Sequence, residues 1–385
     1  MGINYREVKR RFELDGGEAT VRHFSEALQE KHLTPDDFSI RGLAEALIPE
    51  GSAWVNTLDP RNGSVSVHEA YDGVDSTAFQ AVTGHVIQTR VLDSYEHEAF
   101  VASKLVRTIP TRLDGEKLPT IGQVHDDITE VGPGMPYPNL GFSESYVETP
   151  PTEKRGFIVP VTREAIFFDR SNLILNRASE VGEVLGLNKE KRILDTVLGI
   201  NNPYKFNGQS TDTYLLSGEW ANQLPGNELV DWSNVDAAEQ LMADILDPNT
   251  GEPVLLRATN VLVMPAYRHN AHRIFNASEI TYTTPGGDSQ TTSANPLGSY
   301  TVNESRIAYR RLLAAGVQFQ AAQKQWFLGD FQKAFAYMEN WPITVTQAPL
   351  GGEAEFSNDI VLRFKASERG AAAVLDPRYV VKCTA

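Results

Sequence analysis

The sequence predicts an α+β protein, because three stretches differ in the spacing of their apolar residues. Residues 163–204 repeat apolar side chains at a helical period, and about 30 helical residues would span roughly 45 Å. Residues 108–160 are rich in proline and glycine and have no helical period. The C-terminal part alternates apolar and polar residues, which is typical of half-buried strands.

The composition is that of an ordinary globular chain. It has 385 residues, 41% of them hydrophobic, which is enough for two or more cores. The net charge of −15 argues against sequence-specific nucleic-acid binding, since such proteins are basic. The single cysteine, Cys383, excludes an intrachain disulfide and a cysteine-based metal site, and we expect a free thiol in a mobile tail. The sequence contains no apolar segment that predicts a signal peptide or a transmembrane helix.

Residues 1–50 are predicted to be helical and polar, and residues 51–75 to be rich in turns. Short amphipathic helices are expected at 20–31 and 39–48, followed by turns and a short exposed strand at 64–68. These residues begin with a basic helical face that is either solvated or an arm touching a phosphate backbone or an acidic neighbouring subunit. Its cations are Arg6, Lys9, Arg10 and Arg11.

A stronger amphipathic helix begins at Ser76 and continues, in two segments, to about Arg107. The proline-rich region that follows contains extended pieces at 123–131 and 143–148 but no core of its own. Because a lone hairpin is marginal in water, we expect a projecting two-stranded arm that another chain stabilises.

The stretch from Arg163 to Tyr204 is expected to be a structural spine. The strand Gly156–Phe168 leads into it, and Asp169 and Ser171 are both good N-caps. Glycine, asparagine and proline then punctuate the helix. Gly186 and Asn188 are expected to interrupt it, and Gly199 and Pro203 to end it.

After the spine the pattern is mixed. The spacing predicts a helix at Asn234–Asp247 capped by Ser233 or Asn234, and an exposed polar loop at 283–300. A short buried strand is expected at Asn260–Met264 and a helix at Tyr267–Phe275. The end of the chain is expected to be rich in strands, at Gln325–Val345, Asn358–Lys365 and Val374–Lys382, with a turn at Glu368–Gly370. Five aromatic residues are expected in the core: Trp326, Phe327, Phe331, Phe335 and Trp341.

Candidate catalytic and metal-binding patterns are weak. His269 and His272 lie at i,i+3 with Glu279 as the nearest third ligand, a spacing less typical of zinc sites than i,i+4. No dinucleotide-binding, phosphate-loop or nucleophile-elbow motif is present. We therefore expect no enzyme activity and no catalytic, cofactor-binding or metal-binding residues.

Two other arrangements of charged residues are more often solvated than functional. Lys117 or Lys154 could form an isopeptide bond with an asparagine of a neighbour, which requires burial that removes the lysine proton. Asp126, Asp127 and Glu130 could bind a cation.

Several stretches together resemble the major capsid proteins of tailed bacteriophages with the Hong Kong 97-like fold. The stretch RGFIVPVTREAIFFDRSNLILNRASEVGEVLGLNKEKRILDTVLGINNPYKFNG resembles that family's strand and spine helix. The preceding IPTRLDGEKLPTIGQVHDDITEVGPGMPYPNLGFSESYVETPPTEK is similar to its extended loop. The pieces FLGDFQKAFAYMENWPITV and FSNDIVLRFKASERGAAAVLDPRYVVK are similar to its closing strands. The resemblance covers roughly residues 76–385 and rests on element order and composition.

The resemblance implies a division of the chain into arm, loop, peripheral and axial parts. The segments are 1–75 N-terminal arm, 76–112 helix leading into the peripheral domain, 113–158 extended β-hairpin loop, 159–204 peripheral domain with the spine helix, 205–332 axial domain, 333–370 peripheral sheet, and 371–385 final strand returning to the axial domain. We expect the N-terminal arm to be retained in the assembled particle.

The resemblance also implies function and partners. The chain would assemble with itself into hexamers and pentamers that close an icosahedral head around packaged double-stranded DNA. Each extended loop would overlap the neighbouring subunit. Portal and scaffolding proteins, and in some phages a decoration protein, would be further partners. The acidic chain would enclose the DNA without binding it tightly. No membrane would be involved. The protein would assemble in the host bacterial cytoplasm and reside in the virion.

Alternative functions remain open from the sequence. An encapsulin-type nanocompartment shell shares this fold. A metal-dependent hydrolase using His269, His272 and Glu279 belongs to a different class, as does a host- or carbohydrate-binding module at 283–300. Within a shell, Gly182, Gly186 and Asn188 would be either helix punctuation or a bend that changes spine curvature.

Overall fold

The structure mixes helices with strands and has more residues in helices, which confirms the predicted α+β class. The computed structural model describes residues 3–48, 50–58, 76–121, 144–218, 220–247, 251, 253–283, 290–348 and 360–385. The predicted strand at 64–68 and the acidic group Asp126, Asp127 and Glu130 lie outside these residues. No helix among the described residues is long and apolar enough to cross a membrane.

The α-helices span Tyr5–Asp15, Gly17–Gln29, Ile40–Leu47, Gly51–Thr57, Ser76–Tyr95, Ala102–Leu105, Arg163–Phe167, Ser171–Val197, Trp232–Ala243, Arg268–Phe275, Arg306–Ala314, Phe319–Gln323 and Phe331–Ala334. Short 3-10 turns occupy Pro35–Asp37, Pro265–Tyr267, Pro296–Ser299 and Pro377–Tyr379. We call Ser171–Val197 the spine helix.

The strands are β1 Arg107–Pro110, β2 Lys117–Ile121, β3 Glu144–Glu148, β4 Glu153–Thr162, β5 Lys205–Phe206, β6 Gln209–Ser210, β7 Gln223–Leu224, β8 Asn260–Val263, β9 Glu279–Thr283, β10 Gln290–Ala294, β11 Thr301–Glu304, β12 Trp326–Gly329, β13 Phe335–Gln347, β14 Ile360–Val374 and β15 Val380–Cys383.

The chain forms two compact units. Unit 1 comprises Met1–Glu98, Lys154–Asn188 and Trp341–Arg369, and unit 2 comprises Ala99–Glu153, Lys189–Asn340 and Gly370–Ala385. The spine helix and strands β13 and β14 each contribute residues to both units. The segment bounds implied by the resemblance stay predictions.

Unit 1 is organised around the first half of the spine helix. Its core joins the N-terminal helices, the helix Ser76–Tyr95, the spine and the sheet. Large buried members include Phe24, Leu43, Ile87, Leu185 and Phe364. Strand β4 lies at the edge of the sheet of order β1-β13-β14-β4.

Unit 2 is built on the five-stranded sheet of order β11-β8-β12-β15-β7. Of the five predicted core aromatics, four are fully buried here: Trp326, Phe327, Phe331 and Phe335. The prediction is wrong for the fifth, Trp341 in unit 1, which is half-buried and stacks under the Arg369 guanidinium at 5.6 Å. Asp195 of the spine binds Arg311 through two 2.6 Å hydrogen bonds, which fix the helix Arg306–Ala314 to the spine.

The spine differs from its prediction at its start and in the middle, whereas it ends at Val197, shortly before Gly199, as expected. It begins after a short helix, Arg163–Phe167, and a break where Asp169 adopts a left-handed φ of 48°. It then runs without interruption to Val197, so the expected break at Gly186 and Asn188 is wrong. Hydrogen bonds and packing within the helix override the local punctuation.

The residues expected to cap the spine instead bind the N-terminal helices. The Ser39 and Ser171 hydroxyls donate to the Asp169 carboxylate at 2.7 and 2.8 Å. The Ile40 N–H donates to the Ser171 hydroxyl at 2.7 Å. These bonds join two segments of unit 1 that are more than a hundred residues apart in sequence.

Three further predictions are corrected. Glu368–Gly370 is not a turn but lies inside β14, where Gly370 permits close packing against the Tyr337 ring. The region 283–300 is not simply a loop, because β10 lies within it and pairs antiparallel with β9, which ends at Thr283. The helix predicted at Asn234–Asp247 spans Trp232–Ala243, and its N-cap is Asp231, whose carboxylate accepts the Ser233 N–H at 2.8 Å.

Candidate assembly surfaces

An exposed apolar groove lies in unit 1 between strand β4 and the first half of the spine helix. Its volume is about 540 Å³. Four large apolar side chains line it together and are 44–59% exposed, whereas exposed apolar residues on a protein surface are usually scattered singly. They are Phe157, Ile158, Leu173 and Val184.

The helical geometry of the spine explains why this groove is apolar. At about 100° per residue, the apolar positions from Leu173 to Leu185 cover an arc of about 200°. One side of the arc, with Ile174, Ala178 and Leu185, is buried in the core of unit 1. The other side, with Leu173 and Val184, is left on the surface. The helical period predicted an apolar face on the spine, and the width of that face is the sequence signal that it meets two surfaces.

Strand β4 forms the other wall of the groove. Val159 and Val161 are buried and hold the strand against the core, while Phe157, Ile158 and Pro160 remain exposed. Because β4 is an edge strand, its outer side has no neighbouring strand among the described residues. An apolar wall beside a free strand edge is a surface that favours protein association.

The charges at the groove do not oppose apolar association. Arg177 and Glu180 line it and form an ion pair with each other at 3.0 Å. An exposed pair of this kind contributes little to stability, at most about 1 kcal/mol. Its two charges are nevertheless balanced, so no net local charge must be compensated by an incoming chain.

The predicted two-stranded arm has a paired base in unit 2. Strands β2 and β3 run antiparallel, with Lys117 opposite Glu148 and Ile121 opposite Glu144. Strand β3 also pairs with β5, and β5 with β6, which gives a sheet of order β2-β3-β5-β6. The base of the arm is therefore part of a four-stranded sheet.

Polar contacts join the two legs that lead to this base. The Asp114 carboxylate accepts hydrogen bonds from the Thr152 N–H at 2.8 Å and hydroxyl at 3.0 Å. The Asn340 amide donates to the carbonyls of Thr111 at 3.2 Å and Leu113 at 3.0 Å. The segment that leads into β2 and the segment that follows β3 are thus held by hydrogen bonds outside the strands themselves.

The two lysines considered for an isopeptide bond have different surroundings. Lys117 lies 3.4 Å from Glu148 and 4.4 Å from the Tyr146 ring centroid. Contact with Tyr146, and then with Glu148, raises the pKa of Lys117, which opposes the loss of a proton that nucleophilic attack needs. Lys154 is exposed at the start of β4.

The candidate metal ligands are not assembled into a site. His269 and His272 are exposed on the helix Arg268–Phe275, and Glu279 is exposed at the start of β9. The His272 Nδ1 lies 2.9 Å from the Asn276 amide nitrogen. Within the described part of the chain, no group of three histidine, cysteine or acidic residues is arranged to hold a metal ion.

The expected position of Cys383 in a mobile tail is wrong. Cys383 is fully buried on β15, an inner strand of the five-stranded sheet. Burial raises the pKa of its thiol to about 12, partly offset by a hydrogen bond from the Asn227 amide. A thiol in this environment is not a nucleophile.

Comparison with known proteins identifies the family of this chain. The model of the family described as phage capsid protein matches residues 146–383, which is more than half of the chain. This chain belongs to the phage capsid protein family. The resemblance to phage major capsid proteins is therefore confirmed. As a capsid protein, the chain assembles with copies of itself and is a structural component of the virion that forms the phage head.

Solved structures similar to this capsid protein have low sequence identity to it. The capsid of cyanophage P-SCSP1u is 11% identical, with 72% of this chain and 85% of that chain covered and a TM-score of 0.43. Mycobacterium phage Adephagia gives 12% identity, 74% and 89% coverage and a TM-score of 0.44. A virus-like particle from Pyrococcus furiosus gives 12% identity, 77% and 97% coverage and a TM-score of 0.37. A search of curated proteins finds no match.

Proposed function

We propose that this capsid protein forms an icosahedral head of hexamers and pentamers around packaged double-stranded DNA. The observation that carries the proposal is the family match over residues 146–383, joined to an exposed apolar surface that an isolated subunit would leave in water. Heterologous contacts between copies cover such a surface and close into rings when the rotation between subunits allows it.

In this proposal the groove along the spine is an assembly contact. Residues 113–158 act as the extended loop that overlaps a neighbouring subunit, and their described base lies in β2 and β3. Residues 1–75 act as an N-terminal arm that is retained. The net charge of −15 supports a wall that does not bind DNA tightly, because few phosphates would be neutralised.

Further partners follow from the same role. A portal protein at one vertex, a scaffolding protein during assembly in the host cytoplasm, and in some phages a decoration protein would bind this shell. The role is structural, so no catalytic or cofactor-binding residues are assigned.

Electron microscopy of the purified protein tests this function. Uniform closed shells are expected, while a dispersed monomer under all assembly conditions would contradict it. Particles from infected cells that contain DNA and a portal vertex distinguish a phage head from an encapsulin-type compartment with protein cargo. If shells assemble normally and a hydrolytic activity is lost in His269→Ala and His272→Ala, the purely structural role is incomplete.

The groove is tested by charge substitution at an already exposed position. Leu173→Asp should leave the subunit folded but prevent shell formation, because a carboxylate would be buried unpaired in the contact. Leu14→Asp is the matched control, since Leu14 is exposed in the same unit outside the groove. Normal shells from Leu173→Asp would show that the groove is not an assembly contact.

A further inference from the structure

We propose that Asn207 is a positioning residue that sets the twist and direction of strands β2 and β3 within unit 2. The inference rests on the proposed function, in which these strands are the base of the loop that overlaps a neighbour. It starts from a pair of hydrogen bonds between Asn207 and Tyr146. The Asn207 N–H donates to the Tyr146 carbonyl at 2.9 Å, and the Tyr146 N–H donates to Asn207 Oδ1 at 2.9 Å.

The side chain of Asn207 takes the place of a main-chain acceptor. Strand β5 pairs with β3 through Phe206 and Lys205, opposite Val147 and Glu148. Beyond Phe206 the chain enters a two-residue turn in which Asn207 and Gly208 have φ values of 48° and 81°. The main chain of β5 therefore turns away at Asn207, and the amide oxygen extends the ladder by one more residue of β3.

The hydrogen bonds between Asn207 and Tyr146 hold β3 at the edge that pairs with β5. Its first edge is paired with β2 along all five residues, from Lys117 opposite Glu148 to Ile121 opposite Glu144. A two-stranded ribbon held only by its own pairing is marginal and free to twist. Two bonds to Tyr146 restrain that twist where β3 passes the turn.

The side chain of Tyr146 is fixed at the same place. Its ring faces the Lys117 ammonium at 4.4 Å, and its hydroxyl lies near Gly208, where an added Cβ would be 3.6 Å away. On the opposite face of the strand, Val147 is buried in the core of unit 2. Main chain and side chain of β3 are thus both constrained, while the Asn207 bond itself is exposed and contributes little to overall stability.

Two substitutions separate positioning from turn formation. Asn207→Gly keeps the left-handed backbone and removes Oδ1, whereas Asn207→Asp keeps an acceptor and a residue tolerant of positive φ. In the unassembled protein, Asn207→Gly should speed amide exchange of Tyr146 by on the order of tenfold, which corresponds to one exposed hydrogen bond. Asn207→Asp should exchange like the wild type.

Shell geometry is the readout that a merely local role would not change. Asn207→Gly should give a broadened distribution of shell diameters with an unchanged melting temperature, and Asn207→Asp should restore uniform shells. Wild-type diameters from Asn207→Gly, with or without faster exchange, would overturn the proposal. Failure of the wild-type protein to form any shell would instead overturn the proposed function, and the exchange result would still report on Asn207.

Discussion

The Glu190 carboxylate of the spine helix accepts the backbone N–H of Ala102 at 2.6 Å, at the start of another helix in unit 2. The same carboxylate accepts the N–H groups of Val101 at 2.8 Å and Ser103 at 3.0 Å. Glu190 is fully buried, so these three donors replace the water that a carboxylate would otherwise bind. A side chain distant in sequence thereby caps the short helix Ala102–Leu105.

Replacing this carboxylate should be costly although the shape changes little. Glu190→Gln puts an amide NH₂ where only acceptors are useful, and we expect a loss of about 1–3 kcal/mol in the free energy of unfolding. Glu183→Gln, exposed on the same helix, should change stability by less than about 0.5 kcal/mol. Denaturant unfolding measures both, and equal stabilities would show that the cap is unimportant.

Gly182 allows the spine to approach the helix Ser76–Tyr95 closely. A Cβ at this position would lie 2.3 Å from the Val91 carbonyl oxygen. Gly182→Ala should therefore destabilise the protein by about 1–3 kcal/mol, as overpacking does. Gly182 therefore has a packing role, which does not require the spine helix to bend at this position.

A matched control for this change exists on the facing helix. A Cβ at Gly84 would meet its nearest neighbour, Phe364, at 3.6 Å, which is an ordinary contact. Gly84→Ala should stabilise by up to about 1 kcal/mol, the gain expected for a helix interior. Thermal unfolding in which both variants shift in the same direction would contradict the packing argument.

The Cys383 thiol should react only when unit 2 opens. Burial raises its pKa to about 12, so the thiolate is scarce at pH 8 and is shielded from reagents. In native buffer a disulfide reagent should modify the chain at the rate of unfolding, while in denaturant one thiol should react at once. Prompt stoichiometric labelling of the native protein would place Cys383 at the surface.

Lys382 should make stability depend on alkaline pH. Burial lowers the pKa of this amine below its usual 10.5, although it donates to the Leu198 carbonyl at 3.3 Å. The folded state therefore binds the proton more weakly than the unfolded state. The protonated amine therefore lowers the free energy of unfolding. This loss is complete below the lowered pKa and disappears as the pH rises to 10.5.

Removing the amine tests this dependence. Lys382→Met should raise stability below that interval, and the gain should shrink as pH approaches 10.5. The exposed Lys365→Met should show no such trend. Urea unfolding at several pH values measures the difference between variant and wild type, in which titration of groups distant from Lys382 cancels. A gain independent of pH would show that packing, not charge, is responsible.

Elements defined by long periodic patterns were predictable, whereas ends that depend on distant partners were not. The spine was found because apolar spacing persists over many turns, yet its start depends on Asp169 and Ser171 bonding to Ser39 and Ile40. Those partners lie far away in sequence, and local cap preference cannot reveal them. The long strand β14 was cut short in the prediction because Glu368 and Gly370 have turn propensity, which tertiary packing overrides.

The sequence by itself determined the α+β class, the capsid resemblance and the helical spine, because each depends on composition or period along the chain. Only the tertiary structure decided which side of the spine is buried, that Cys383 is internal, and that Asn207 holds Tyr146. These depend on contacts between segments far apart in sequence. Burial and hydrogen bonding are properties of such pairs, and periodicity within one segment does not specify its partner.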